Sequence, residues 1–194
     1  VSDAGKITTL GMKTRYGFDA CFINSILAKY QKPDKMIGMK IITTKSALET
    51  QRLAASIGKL LRGGEIFALF GNLGSGKTVF AKGLAKGLGI KEKVASPTFN
   101  IMKIYTVEKG KKIKPFLFCH IDVYRIRPTD LKNIGAEEYF GKNRVITVIE
   151  WADKIKGLLP RRRINVDFTA DKKNNERRIK FTGSIDFFKQ SPKQ

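Results

Sequence analysis

The chain has 194 residues, 42% of them apolar, enough for one ordinary domain with a real core, and no apolar stretch approaches the ~20 residues that span a bilayer as a helix. Lys and Arg outnumber Asp and Glu by 38 to 17, a formal net charge of +21. That excess draws polyanions such as RNA, although its spread along the chain fits a lysine-rich background equally well.

Residues 1–38 read as an N-terminal appendage and linker of unknown role. They carry six basic and three acidic residues, so the other 32 and 14 leave the remaining chain at +18. Here "FDACFINSILAKY" places Phe18, Phe22 and Ile26 at the spacing of a short amphipathic helix. Asp19 and Asn24 interrupt the run, so it is no signal peptide, and the protein is expected in the cytoplasm.

From Met39 the pattern becomes regular. "KIITT" is a strand candidate, and "SALETQRLAASIGKLL" a helix opened by a capping box, Ser46 and Glu49, with Leu48, Leu53, Ile57, Leu60 and Leu61 as its apolar positions. Gly63 and Gly64 stop it. "EIFALF" is a nearly continuous apolar strand, expected where both faces of an α/β sheet are covered.

The next stretch, "GNLGSGKT", has the form G-x-x-x-x-G-K-[ST] and runs into the helix "KTVFAKGLAKGL". Glycines let the backbone curl so that successive N–H groups, from Gly71, Asn72, Leu73, Gly74, Ser75 and Gly76 onward, point at phosphate oxygens, and the helix adds its positive N-terminal end. In this pattern Lys77 reaches the β- and γ-phosphates and the Thr78 hydroxyl is a magnesium ligand. The bare pattern arises by chance in roughly one such chain in a hundred, but here it also sits between an apolar strand and an amphipathic helix.

Downstream, "VASPTFNIMKIYTVE" enters a strand, "KGKK" turns, and "PFLFCHIDVY" returns, an antiparallel hairpin. "RPTDLKNIGAEEYFG" carries short helices and "RVITVIEW" a second buried strand. "RINVDFTA" and "ERRIKFT" form another hairpin around "DKKNN", and residues 184–194 are a frayed tail. The fold expected over residues 39–183 is a three-layer P-loop NTPase-like α/β domain with a mixed sheet, a parallel core extended by antiparallel hairpin strands.

A phosphate loop needs a carboxylate at the end of a neighbouring strand, and two stand there: Asp122 ends "PFLFCHID" and Glu150 ends "RVITVIE". One would help hold magnesium while the other orients or deprotonates the attacking water; the residues alone do not say which. With neither N-K-x-D nor a D-x-x-G switch present, the nucleotide is read as ATP rather than GTP. His120 is read as a core histidine, Trp151 as packing beside the nucleotide or in the core. Pro97 of "SPTF" fixes a loop that presents Thr98, whose hydroxyl could sense the γ-phosphate. Cys21 and Cys119, far apart and outside any C-x-x-C pattern, read as buried thiols rather than a disulfide or metal site.

Taken in order, "GNLGSGKT", "SPTF", "HIDVYR" and "IEW" resemble the TsaE family (also YjeE) of bacterial P-loop ATPases from about residue 39 to about residue 181. The resemblance implies a subunit that hydrolyses ATP on the complex of TsaD and TsaB, which installs the threonylcarbamoyl group on adenosine 37 of tRNA. It makes Lys77 the phosphate-binding lysine, Thr78 and Glu150 the magnesium-associated pair, Asp122 a further active-site acid, Thr98 part of a switch-like loop, and Trp151 the tryptophan beside the acid. The appendage and the basic runs "RRR" and "KKNNERR" depart from the family pattern; the latter could meet tRNA.

Two other readings share these residues. A small-molecule P-loop kinase would use Arg161–Arg163 in a lid, but no acceptor-binding insertion accompanies them. A basic RNA-binding protein with a vestigial nucleotide site is favoured by the charge and opposed by the intact loop with its two carboxylates.

Overall fold

The computed structural model describes residues 39–97, 100–107, 116–171 and 175–184. The expected appendage helix, Thr98, the "KGKK" turn, most of the "DKKNN" turn and nearly all of the C-terminal tail lie outside the described residues.

In chain order the elements are β1 Met39–Thr44, α1 Ala47–Leu60, β2 Ile66–Phe70, α2 Lys77–Leu88, β3 Met102–Val107, β4 Phe116–Asp122, α3 Pro128–Asn133, β5 Val145–Glu150, β6 Ile164–Asp171 and β7 Glu176–Gly183, with 3-10 turns at Ala136–Tyr139 and Ala152–Leu158. The seven strands form one sheet in the order β1-β7-β6-β2-β5-β4-β3. Strands β6, β2, β5 and β4 run parallel, while β3 pairs with β4, β7 with β6 and β1 with β7 antiparallel. This is the mixed sheet expected, both hairpins included.

Strand periodicity divides the core in two. Phe67 and Leu69 of β2, Phe118 of β4, Ile146 and Val148 of β5 and Phe181 of β7 face α1 and α2. Ile66, Ala68, Cys119, Ile121 and Ile149 face the other way, onto Leu131 of α3 and Ala136, Ala152 and Ile155 of the 3-10 turns. Layers on both faces explain why β5 is buried along its whole length and reads as an unbroken apolar run. Phe80 of α2 anchors the helical side, its ring centroid 5.5 Å from that of Phe168 and 5.9 Å from that of Phe181.

Helix α1 begins as expected, with Ser46 Oγ accepting from Glu49 N at 3.1 Å. The Glu49 carboxylate, however, accepts from Lys45 N at 2.8 Å, one residue before the cap. Leu48 is not part of the apolar face: it is 52% exposed. Thr50 is buried in that turn instead, its hydroxyl 2.7 Å from the Thr44 hydroxyl on β1. Helices α1 and α2 approach so closely at Gly58, Gly83 and Gly87 that a Cβ on Gly87 would lie 2.0 Å from the Ala55 carbonyl oxygen.

Candidate active site

Strand β2 ends at Phe70 and α2 starts at Lys77, so residues 71–76 must turn sharply between the sheet and the helix N-terminus. Gly71, Gly74 and Gly76 do this with φ of +132°, +76° and +109°, backbone that residues with a side chain rarely adopt. At Gly71 space is limiting as well, because a Cβ there would meet the Phe168 carbonyl oxygen at 2.5 Å. The buried Ser75 hydroxyl has no hydrogen-bond partner among the described residues. A buried hydroxyl in a curled, glycine-rich loop at a helix N-terminus suits phosphate oxygens as acceptors.

Lys77 is buried at the start of α2 and donates to two carbonyls of its own loop, Gly71 at 2.6 Å and Asn72 at 2.9 Å. Burial lowers its pKa from the usual lysine value, opposed by Glu150, Asp153 and Asp122. Its ammonium lies 3.6 Å from the centroid of the Trp151 ring. Trp151 holds a left-handed backbone, φ +60°, directly after Glu150, and its ring stacks obliquely on Tyr124 at 4.6 Å. Packing beside the loop lysine, rather than in the core alone, is therefore its position.

The two acids stand side by side, because Asp122 is the register partner of Glu150 in the parallel β4–β5 pair. Both are buried. Glu150 Oε2 accepts from the Thr78 hydroxyl at 2.7 Å, and its Oε1 lies 2.9 Å from Nε2 of the fully buried His120. Asp122 is held through both oxygens: Oδ2 accepts from Ser96 Oγ at 2.6 Å and Oδ1 from the Tyr124 backbone N–H at 2.9 Å.

Leu73, Gly74, Ser75, Gly76, Lys77, Thr78, Asp122, Glu150 and Trp151 line one cleft of about 530 Å³. Gly71 and Asn72 instead line a smaller recess, about 260 Å³, beside Phe168 and Thr169; their carbonyls meet the cleft through Lys77. Thr98 lies outside the described residues, and Ser96 of the same "SPTF" segment reaches Asp122.

Two contributors, Ser96 and Arg177, were not singled out from the sequence, and a third, His120, was read only as a core histidine. His120 is buried in the core as expected, two residues before Asp122, and it is also bonded to a site acid, Glu150. Ser96 sits within a motif already noted. Arg177, on β7, also lines the cleft; the sequence marks it only as part of the basic run "KKNNERR".

Among the described residues no group of three or more His, Cys, Asp and Glu side chains could hold a metal ion. Magnesium does not require one, since it takes one or two protein oxygens and completes its shell with phosphates and water. The Thr78 hydroxyl and the Glu150 carboxylate, converging from α2 and β5, are a donor set of that kind.

Known proteins resemble this chain over most of its described residues. The family model described as "Threonylcarbamoyl adenosine biosynthesis protein TsaE" matches residues 44–179. A protein of Treponema pallidum named tRNA threonylcarbamoyladenosine biosynthesis protein TsaE is 40% identical over 119 residues, 60% of this chain and 82% of the relative. Its Bacillus subtilis namesake is 37% identical over 134 residues, 69% of this chain and 79% of the relative. The crystal structure of Bacillus subtilis YdiB superposes with a TM-score of 0.61 at 31% identity, covering 80% of this chain and 93% of that one.

Proposed function

The chain belongs to the TsaE family of threonylcarbamoyl adenosine biosynthesis proteins, and on that premise we propose that it hydrolyses ATP to drive turnover of the TsaD–TsaB complex that modifies adenosine 37 of tRNA. The observation that carries the reading is the 2.7 Å contact between Thr78 and Glu150. It joins the first turn of the phosphate-loop helix to the end of the neighbouring strand, where a nucleotide-bound magnesium needs protein oxygens.

In this reading the loop N–H groups and the Ser75 hydroxyl donate to the phosphates. Lys77 exchanges its two carbonyl acceptors for β- and γ-phosphate oxygens. Thr78 and Glu150 would hold magnesium, which when bound would offset the negative charge of the phosphates. Asp122, fixed by Ser96 and Tyr124, orients the attacking water, whose oxygen bonds to the γ-phosphorus as the bond to the β-phosphate oxygen breaks, releasing ADP and phosphate. Thr98, two residues after Ser96 in the sequence, is assigned the sensing of the γ-phosphate.

Such catalysis is positioning and electrostatics, so slow hydrolysis alone and faster hydrolysis with partners are expected. The test is steady-state ATP hydrolysis with magnesium, alone and with TsaD plus TsaB, beside Glu150→Ala. Stimulation by the partners that disappears in the variant supports the reading. Wild type and variant equally inert with partners present would reject it.

A further inference from the structure

We propose that Lys154 is a positioning residue, which clamps Tyr124 from the turn after β5 and so sets Asp122 and Trp151 in place. The inference rests on the ATP reading above and extends it to a residue that does not itself line the cleft.

Two loops meet at this end of the sheet. The pairing of β4 with β5 ends at Asp122 and Glu150, with one further backbone bond from Val123 N–H to the Glu150 carbonyl at 3.2 Å. Beyond it the chain runs towards α3 on one side and into the 3-10 turn Ala152–Leu158 on the other. The strand ladder no longer holds these loops together, so side chains must.

Lys154 spans them. Its backbone N–H donates to the Trp151 carbonyl at 3.0 Å, closing the turn that the left-handed Trp151 opens. Its ammonium donates to the Tyr124 carbonyl and lies 4.9 Å from the centroid of the Tyr124 ring. One side chain thus fixes Tyr124 at two points, by a charge-assisted hydrogen bond and by a cation–π contact.

Tyr124 passes that constraint to the site in two directions. Its N–H donates to Asp122 Oδ1 at 2.9 Å, the acid assigned to the attacking water. Its ring stacks on Trp151 at 4.6 Å, the indole on which the Lys77 ammonium rests at 3.6 Å. Tyr124 is 37% exposed, so core packing covers it only in part and the clamp supplies the rest of its order. Catalysis by positioned groups is sensitive to displacements of this kind.

The test uses three variants of the full chain. Lys154→Met keeps the aliphatic stem and removes the charged donor, and Lys154→Arg keeps a charged donor. Lys156→Met, exposed in the same turn, controls for net charge. Trp151 is the sole tryptophan, so acrylamide quenching of the nucleotide-free protein reads how well its ring is covered. Steady-state ATP hydrolysis with magnesium, TsaD and TsaB gives kcat and KM. We expect Lys154→Met to be quenched more readily than wild type and to lose about fivefold in kcat, with KM little changed because the phosphate loop is intact. Lys154→Arg should recover both, and Lys156→Met should alter neither. Quenching unchanged in Lys154→Met overturns the inference, and a fall in kcat without it would place Lys154 on the partner-binding surface instead. Wild type inert with partners overturns the ATP reading, while the quenching comparison still decides whether Lys154 sets Trp151.

Discussion

The Lys77 ammonium rests 3.6 Å from the centroid of the Trp151 ring while donating to the carbonyls of Gly71 and Asn72. All three contacts depend on where the lysine points. When phosphates draw it into the loop, the tryptophan loses a cation from its face. Trp151 is the only tryptophan of the chain, so its emission reports this movement without a label. ADP or ATP should change the intensity or wavelength of tryptophan fluorescence, saturably and without partner proteins. Lys77→Ala should differ from wild type before nucleotide is added, and should show no further change at concentrations that saturate wild type. Calorimetric binding with an unaltered spectrum would refute the coupling.

His120 holds one oxygen of Glu150 and Thr78 the other. With the carboxylate accepting, Nε2 donates and Nδ1 finds no partner among the described residues. Removing the imidazole leaves Glu150 Oε1 buried beside a cavity, at a cost of about 2 kcal/mol. His120→Ala should lower the denaturant midpoint accordingly and reduce partner-stimulated hydrolysis. His120→Gln carries an amide donor at nearly the reach of the imidazole Nε2 and should recover most of the hydrolysis. A glutamine variant as inactive as the alanine one would reduce His120 to a packing residue.

The catalytic consequence of Glu150 separates from its role in binding. Glu150→Gln keeps the shape and an acceptor for Thr78 but removes the charge. It should still bind ADP, since the loop and Lys77 are intact, while hydrolysis with partners falls by about 10²-fold or more. Lys77→Ala should instead lose binding. Side-by-side titration and turnover of the two variants distinguishes them; equal losses of affinity would reject the division of labour.

What could be read beforehand follows from the range of the interactions. The buried runs of β2 and β5, both hairpins and the phosphate loop are local patterns of spacing and composition, and they appear where expected. Asp122 and Glu150 were legible because a strand's end is where its chemistry emerges. The bond from His120 to Glu150 was not, because it depends on the register of β4 against β5, which brings together residues 30 apart. Arg177 reaches the loop only because β7 folds back along β6. Leu48 failed for a different reason: apolar spacing was applied to the first turn of α1, where Thr50 is buried by its contact with Thr44 and the leucine faces solvent.

Glycine within a helix is opposed by propensity, since alanine is better by up to about 1 kcal/mol, and Gly87 is the second-to-last residue of α2. Gly87 nevertheless has no room for a Cβ, which would meet the Ala55 carbonyl oxygen at 2.0 Å. That contact is with backbone, so α1 and α2 must separate to relieve it. Overpacking wins this comparison: Gly87→Ala should destabilise the protein by roughly 1–3 kcal/mol. Gly157→Ala, which meets nothing within 4 Å, should change stability little. Chemical denaturation of the two variants against wild type checks both, and a stabilised Gly87→Ala would show that the helices are free to move apart.

Cys119 predicts how the fold responds to alkali. It is fully buried on β4, facing Ile121, Ile149 and the short helices, and burial pushes its thiol from 9.0 up to about 12. The unfolded chain therefore releases this proton first. Below pH 9 both states keep it and the thiol has no effect on the pH dependence. Between pH 9 and about 12 the unfolded state holds fewer protons, so stability falls as pH rises, approaching about 1.4 kcal/mol per pH unit for one group. Lys77, with its pKa lowered by burial, contributes the opposite slope in the window below the ordinary lysine value, so total stability is a poor readout. The difference between wild type and Cys119→Ala isolates the thiol. Measured by urea unfolding from pH 8 to 10.5, it should be constant up to about pH 9 and then shift in favour of the alanine variant. A difference that stays flat across the range would mean that the Cys119 thiolate is tolerated in the folded protein.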